Sequence, residues 1–260
     1  MRGLTPPPTP YPQTRAPQQG IIPSLAQPTY LRYGESMCGR FIQYSAPEVY
    51  ASHFDLDTLC EVKPRYNLAP TQPVLAVRRA AEGTRELVPL RWGLVPSWSK
   101  GPDSRFSMIN ARAETVDAKP AYRNAFKSRR CLIPTEGFYE WKTQGREKTP
   151  YLIRRSDGEP FGMAGLWEAW RAGDGTTLES CTVIVTDANP LVRELHDRMP
   201  VILAHEDYEA WLDPANKDTA GLLKLLRPTD PEPWTLRQVS RRVNSPKNDT
   251  PDLLEPVAAA

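Results

Sequence analysis

Apolar and polar positions along this chain alternate in short runs rather than in long helical stripes. Six runs are rich in β-branched and aromatic residues: Val74 to Arg78, Glu86 to Trp92, Leu132 to Pro134, Phe138 to Trp141, Tyr151 to Arg154 and Thr182 to Thr186. Gly, Pro and Asp punctuate the stretches between them, and that combination predicts strands. Helical spacing is brief, at Ala121 to Ser128, Pro190 to His196, Glu206 to Leu212 and Thr219 to Leu226. Ser45-Ala46-Pro47-Glu48 reads as a capping box, with Ser at N-cap and Glu at N3, opening a short helix through about Phe54. No segment repeats, and strands do not alternate regularly with longer helices, which argues against a doubly wound sheet. The predicted fold class is α+β: a single domain on a mainly antiparallel, barrel-like β-sheet with short flanking helices.

Composition separates the first 36 residues from the rest. They hold eight of the 28 prolines, one acidic residue (Glu35) and no apolar periodicity. Such a stretch cannot bury enough surface to offset its ordering entropy, so residues 1–36 are expected to be a disordered extension. It lacks the apolar core of a signal peptide. Met37 stands directly before Cys38-Gly39-Arg40-Phe41. Two explanations compete: translation begins at Met37, which we favour, or the upstream segment is removed by cleavage before Cys38. Residues 37–256 then form the domain and 257–260 a short tail.

Charge and cysteine usage narrow the function classes. A formal net charge of +2 gives no global basic signature, which leaves room for a local basic surface. The four cysteines (Cys38, Cys60, Cys131, Cys181) lie far apart with no CxxC pair, so neither a disulfide scaffold nor a zinc ribbon is expected. Nothing pairs the three histidines with cysteines at metal-ligand spacing, and no metal or cofactor is expected. That cysteine usage makes reduced thiols in a cytoplasmic compartment the expectation, and no apolar run approaches the ~20 residues of a membrane span.

Cys38 carries the candidate chemistry. An amino-terminal cysteine presents an α-amine and a thiol with reference pKa values of about 7.7–8.0 and about 8.5, so both are partly reactive near neutrality. An aldehyde can form an imine with the amine, and the thiol can close on the imine carbon to give a thiazolidine. An internal cysteine cannot, because its nitrogen is an amide. The bland alternative is a small buried hydrophobe, the commonest role of a lone cysteine.

Further motifs follow in order. They are Met37-Cys38-Gly39-Arg40-Phe41, Pro64-Arg65-Tyr66-Asn67-Leu68-Ala69-Pro70, Arg91-Trp92-Gly93-Leu94-Val95-Pro96 and Ile109-Asn110-Ala111-Arg112-Ala113-Glu114-Thr115. Then come Cys131-Leu132-Ile133-Pro134, Gly137-Phe138-Tyr139-Glu140-Trp141, His196-Asp197-Arg198-Met199-Pro200 and Val239-Ser240-Arg241-Arg242-Val243-Asn244. Each alone is weak, but the ordered set resembles the signature blocks of the SRAP family (SOS-response-associated peptidase) across the whole domain from residue 37. The resemblance implies a covalent link to an abasic deoxyribose in single-stranded DNA, in a family first described as a thiol autopeptidase.

The same resemblance assigns roles. Cys38 is the nucleophile, Glu140 the catalytic carboxylate, His196 the active-site histidine and Asn110 a residue of the catalytic pocket. Arg40 and Arg112 contact the DNA backbone, Trp98 stacks on bases, and Asn67 and Thr186 line the pocket. Residue chemistry fits: a carboxyl near the amine serves dehydration of a carbinolamine, and imidazole titrates at about pH 6.5. Asn110 and Arg112 alternate on an extended segment and share a face. Ordinary structural roles compete at several positions. Glu140 could be a solvent-facing hairpin residue, and Glu114 could simply pair with Arg112. Arg123, Lys127, Arg129 and Arg130 could be a DNA track or a solvated helix face. Trp92 is expected in the core, and His53 and His205 at the surface. The implied partner is single-stranded DNA containing abasic sites, with no membrane, in a monomer near the nucleoid and open to replication-fork proteins. Two other readings stay open, an amino-terminal-nucleophile thiol peptidase and a non-catalytic single-strand binding module.

Overall fold

The computed structural model describes residues 38–57, 60–102 and 108–257. The expected disordered extension, Met37 and the last three residues of the tail lie outside these. Thirteen strands are found in chain order among the described residues: β1 (Phe41–Gln43), β2 (Arg65–Leu68), β3 (Pro73–Arg79), β4 (Arg85–Trp92), β5 (Asn110–Arg112), β6 (Arg130–Thr135), β7 (Gly137–Gln144), β8 (Glu147–Arg155), β9 (Phe161–Arg171), β10 (Thr177–Asp187), β11 (Arg198–Pro200), β12 (Ile202–Leu203) and β13 (Trp234–Gln238). Four short α-helices accompany them: α1 (Pro47–Phe54), α2 (Arg123–Ser128), α3 (Tyr208–Leu212) and α4 (Thr219–Leu225).

Strands β4, β3, β6, β9 and β10 pair in that order, and β10 returns to pair with β4, so five strands close a barrel. The closing β4–β10 ladder is parallel (Trp92 opposite Cys181), whereas β9 and β10 form a long antiparallel ladder. Closure leaves no free edge in the ring. It also brings β6, β9 and β10 close at Gly165, where an added Cβ would stand 3.0 Å from both the Cys131 sulfur and the Thr182 carbonyl oxygen. The second sheet has the order β13-β8-β7-β1-β2 and is antiparallel throughout. The expectation of a barrel-like, mainly antiparallel α+β fold therefore holds.

Alternation along the strands distributes the apolar side chains into three layers. One joins Phe54 of α1, Phe126 of α2, Trp211 of α3 and Leu222 of α4 to one face of the barrel strands at Val77, Leu132 and Ala164. A second packs the opposite face, at Ala76, Ile133 and Met163, against Phe41, Phe138 and Ile153 of the five-stranded sheet. A third covers that sheet's other face, Ile42, Tyr139 and Leu152, with Val239, Val243 and Leu253 from the chain's last segment. Trp92 is fully buried, as expected, and donates its indole N–H to the Ile109 carbonyl at 3.0 Å.

Several elements depart from expectation. Strand β9 escapes sequence reading because it is buried on both faces and carries two glycines, so it shows no alternation. Pro190 to His196 forms only a 3-10 turn at Val192–Glu194. There the Asn189 side chain accepts from the Val192 amide at 2.9 Å, and the chain turns back to pair β11 with β10. The capping box is not formed: the N-cap of α1 is Ala46, with no side-chain bond. The buried Glu136 carboxylate takes over, accepting from the Tyr44 and Ser45 amides and from the Tyr50 hydroxyl at 2.6 Å. His53 is half-buried against Phe54 and Tyr208 rather than freely exposed, and burial lowers its pKa. His205 is exposed, as expected.

Candidate active site

The site begins with strand register. Phe41 of β1 lies opposite Phe138 of β7, and the Tyr139 amide donates to the Arg40 carbonyl at 2.9 Å, so the residues before β1 continue alongside β7. Cys38 is thereby brought to Glu140, and its backbone N–H donates to the Glu140 Oε1 at 2.8 Å. Glu140 is two residues on from Phe138 and shares its face toward the barrel. It is only 3% exposed, so it is not the solvent-facing hairpin residue of the structural alternative.

Burial raises the Glu140 pKa, opposed by the charge of His196 and by hydrogen bonds from the Cys38 thiol and amide and from the Trp141 amide. The Cys38 thiol is pushed up first by burial and then by the negative charge of Glu140. Burial thus works against the charged form of both groups, and the Glu140 carboxylate further disfavours a thiolate at Cys38. Cys38 also has φ +42°, a left-handed conformation that costs a non-glycine residue roughly 1–2 kcal/mol. An amino-terminal residue has no φ constraint, so loss of residue 37 would remove this strain.

The second wall of the site is the C-terminal half of β10. Strand β5 runs parallel to it, with Asn110 opposite Val183 and Arg112 opposite Val185. Ala111 is buried while Asn110 and Arg112 are more open, consistent with a shared outward face for those two. Thr186 follows on β10, is buried, and lies opposite Met199 of β11. His196 stands just before β11; its Nδ1 is 2.8 Å from Asp197 Oδ1 and 3.1 Å from the Arg198 amide nitrogen. Asn110 and Arg112 on β5 and Thr186 on β10 thus belong to neighbouring strands, and His196, just before β11, is close enough to act electrostatically on Glu140.

Other expected residues are placed differently. Arg40 is 6% exposed and turned inward, donating to Asn67 Oδ1 at 2.9 Å and to the Val243 and Asn244 carbonyls at 2.7 and 3.2 Å. Asn67 is fully buried, and its amide donates to the carbonyls of Val243, Ser245 and Asn248. These two residues clasp the chain's last segment to the sheet that carries Cys38. Sequence reading missed the third member, Asp249, whose carboxylate binds the Arg65 side chain and accepts from the Asn67 amide at 2.9 Å. It also missed Arg198, which pairs with Glu114 and with Asp187; Glu114 is therefore not simply a partner of Arg112. Arg129 binds Glu168 while staying partly exposed, Arg130 is buried against Trp211 and backbone carbonyls, and Arg123 and Lys127 are exposed. Trp98 is 65% exposed on the loop between β4 and β5.

Asn67→Ala is expected to destabilise the protein by about 2–4 kcal/mol, because it removes the side-chain donor to three carbonyls, deprives that of Asn248 of its partner, and takes an acceptor from the buried Arg40 guanidinium. Urea unfolding measures this; a midpoint unchanged from the parent would show that the clasp is not structural.

With Cys38, Glu140 and His196 brought together, the family model for SOS response associated peptidase (SRAP) matches residues 37–246. The chain belongs to the SRAP family. An SRAP relative, the abasic site processing protein YoaM of Bacillus subtilis, is 44% identical over 223 residues, covering 84% of this chain and 98% of the relative. The abasic site processing protein HMCES of Gallus gallus is 37% identical over 226 residues, covering 75% of this chain and 67% of that protein. A crystal structure from Bacteroides thetaiotaomicron superposes with a TM-score of 0.68 at 27% identity, covering 86% of this chain and 98% of that one. Among the described residues no group of three or more His, Cys, Asp or Glu is placed to hold a metal, and no helix is long and apolar enough to cross a membrane.

Proposed function

We propose that this protein processes abasic sites in single-stranded DNA, and that Cys38, freed as the amino-terminal residue, captures the abasic aldehyde as a thiazolidine. The observation that carries the reading is the Cys38 nitrogen held 2.8 Å from a buried carboxylate. The relatives named abasic site processing proteins support the substrate.

The steps follow from the groups present. The Cys38 amine attacks the aldehyde carbon of the ring-opened sugar, giving a carbinolamine. Glu140, whose burial favours holding a proton, protonates the departing hydroxyl, and water leaves as the imine forms. The Cys38 sulfur then bonds to the imine carbon, and the thiol proton passes to Glu140. One water is lost in total, and the product is a five-membered ring. His196 handles the sugar's ring oxygen or hydroxyl, and Asn110 and Thr186 hold the sugar. Arg112 takes the adjacent phosphate, and Trp98 stacks on a neighbouring base. Arg40 and Asn67, both turned inward, support Cys38 from behind. The imine intermediate also permits β-elimination, a lyase-like side reaction.

In the cell the protein acts as a monomer in the cytoplasm, near the nucleoid and replication forks.

The test compares a chain beginning at Cys38 with the same chain acetylated on its amine, each mixed with a single-stranded oligonucleotide bearing one abasic site. A heat-stable adduct on a denaturing gel is expected only for the free amine. Equal adduct from the acetylated chain would overturn the proposal, and binding without adduct in both would leave a binding module.

A further inference from the structure

An exposed tryptophan is useful for base stacking only if its loop is already shaped before DNA arrives, because ordering a loop on binding weakens affinity. The segment from Gly93 to Gly101 is held at several points. The Gly93 amide donates to the Cys181 carbonyl at 2.8 Å, the Leu94 amide to the Met108 carbonyl at 3.0 Å, and the Val95 amide to the Ser180 hydroxyl oxygen at 2.8 Å. The Arg91 guanidinium donates to the Gly93 carbonyl at 2.7 Å. These bonds fix the base of the segment. Beyond Pro96 the chain turns, with the Ser99 amide donating to the Pro96 carbonyl at 2.9 Å, and Trp98 stands at the outside of that turn.

The far side of the turn rests on one side chain from a different strand. Trp170, near the end of β9, donates its indole N–H to the Ser99 carbonyl at 2.9 Å. Gly101 lies against the face of the same indole: an added Cβ would stand 3.2 Å from its Cζ2. Gly101 has φ +127°, a conformation that L side chains rarely adopt. A hydrogen-bond donor and a flat apolar surface thus meet the turn immediately after Trp98. Neither group of Trp170 is needed for the barrel ladder, since β9 pairs with β10 through backbone atoms there.

We propose that Trp170 is a positioning residue for single-strand binding, its indole propping the Pro96–Gly101 turn so that Trp98 is presented outward for stacking on a base beside the abasic nucleotide. The inference rests on the single-stranded DNA reading above. It assigns Trp170 no contact with the reacting atoms.

The test uses Trp170→Phe, which keeps an aromatic ring on β9 but removes the N–H and the outer indole ring beneath Gly101, in a chain that begins at Cys38. Affinity is read by fluorescence anisotropy with an oligonucleotide carrying a non-reactive tetrahydrofuran abasic analogue, and the crosslinking rate is read at saturating abasic DNA. Loss of one such bond is expected to weaken affinity about fivefold and leave the saturated rate within about twofold. In a Trp98→Ala background the same substitution is expected to change nothing further, because Trp170 acts through Trp98. Gly101→Ala, which crowds the indole, is expected to reproduce the pattern, and thermal unfolding confirms that each variant folds. Equal weakening by Trp170→Phe with and without Trp98 would overturn the proposal, as would a fall in saturated rate at unchanged affinity. If Trp98→Ala alone binds like the parent, Trp98 takes no part and the proposal falls with it. If the parent chain does not bind single-stranded DNA, the functional reading itself has failed, a result recognisable before any variant is made.

Discussion

Replacing Cys38 by alanine, in a chain whose first residue is position 38, is expected to abolish the heat-stable adduct with abasic DNA while leaving a species that borohydride can trap. Alanine keeps the α-amine beside Glu140, so the imine still forms. It lacks the sulfur that closes the ring. Well-oriented intramolecular closures reach effective molarities of about 10⁵–10⁸ M, so in the parent the thiol outruns water at the imine carbon. Without it the imine hydrolyses or eliminates. Stable adduct should therefore fall by at least about a hundredfold, and strand cleavage at the abasic site should rise as the imine lingers. Gel quantification with and without borohydride reads both. Undiminished stable adduct from the alanine variant would show that the sulfur is not part of the bond.

The second large effect concerns Glu140. Glu140→Gln is expected to slow adduct formation by about 10²–10⁴-fold, the usual contribution of a positioned acid–base group. The amide can still accept from the Cys38 nitrogen, so geometry is kept while proton transfer is lost. Stability should move the other way. Burial raises the folded-state pKa of Glu140, so its neutral form is the one the fold favours. The stability it contributes is complete below the ordinary carboxylate value of about 4.3 and is lost as pH rises through its raised folded value. Glutamine removes that loss, so the variant should melt above the parent at pH 8, with the gap closing toward pH 4. Thermal unfolding across that range measures it. A variant less stable than the parent at pH 8, or as fast in adduct formation, would exclude Glu140 as the buried proton donor. Reduced activity together with gained stability is what a site strained for function would show.

The candidate positions were marked by local motifs. Cys38, Glu140, His196 and Asn110 each sit in a short ordered motif, and the strand pattern around Phe138 to Trp141 placed the carboxylate on a sheet. The inward turn of Arg40 was not legible, because its acceptors at Val243 and Asn244 lie more than two hundred positions away in sequence. Asp249 escaped for the same reason, and it lies just past the span that the family model matches. Strand β9 was hidden by burial on both faces, where period-two alternation vanishes. Barrel closure through the parallel β4–β10 ladder has no sequence signature either, since pairing partners are chosen by tertiary packing. Ser45 showed the opposite failure: a sound local motif was overridden by the buried Glu136 carboxylate.

The most direct measurement is the intact mass of the protein after reaction with an abasic single-stranded oligonucleotide, followed by fragmentation of the adduct. A mass beginning at Cys38, increased by the oligonucleotide less one water and with the added mass confined to the first residue, is the result expected of a thiazolidine at Cys38. A chain with a free Cys38 terminus that gains no mass, or that carries the oligonucleotide on another residue, would contradict it.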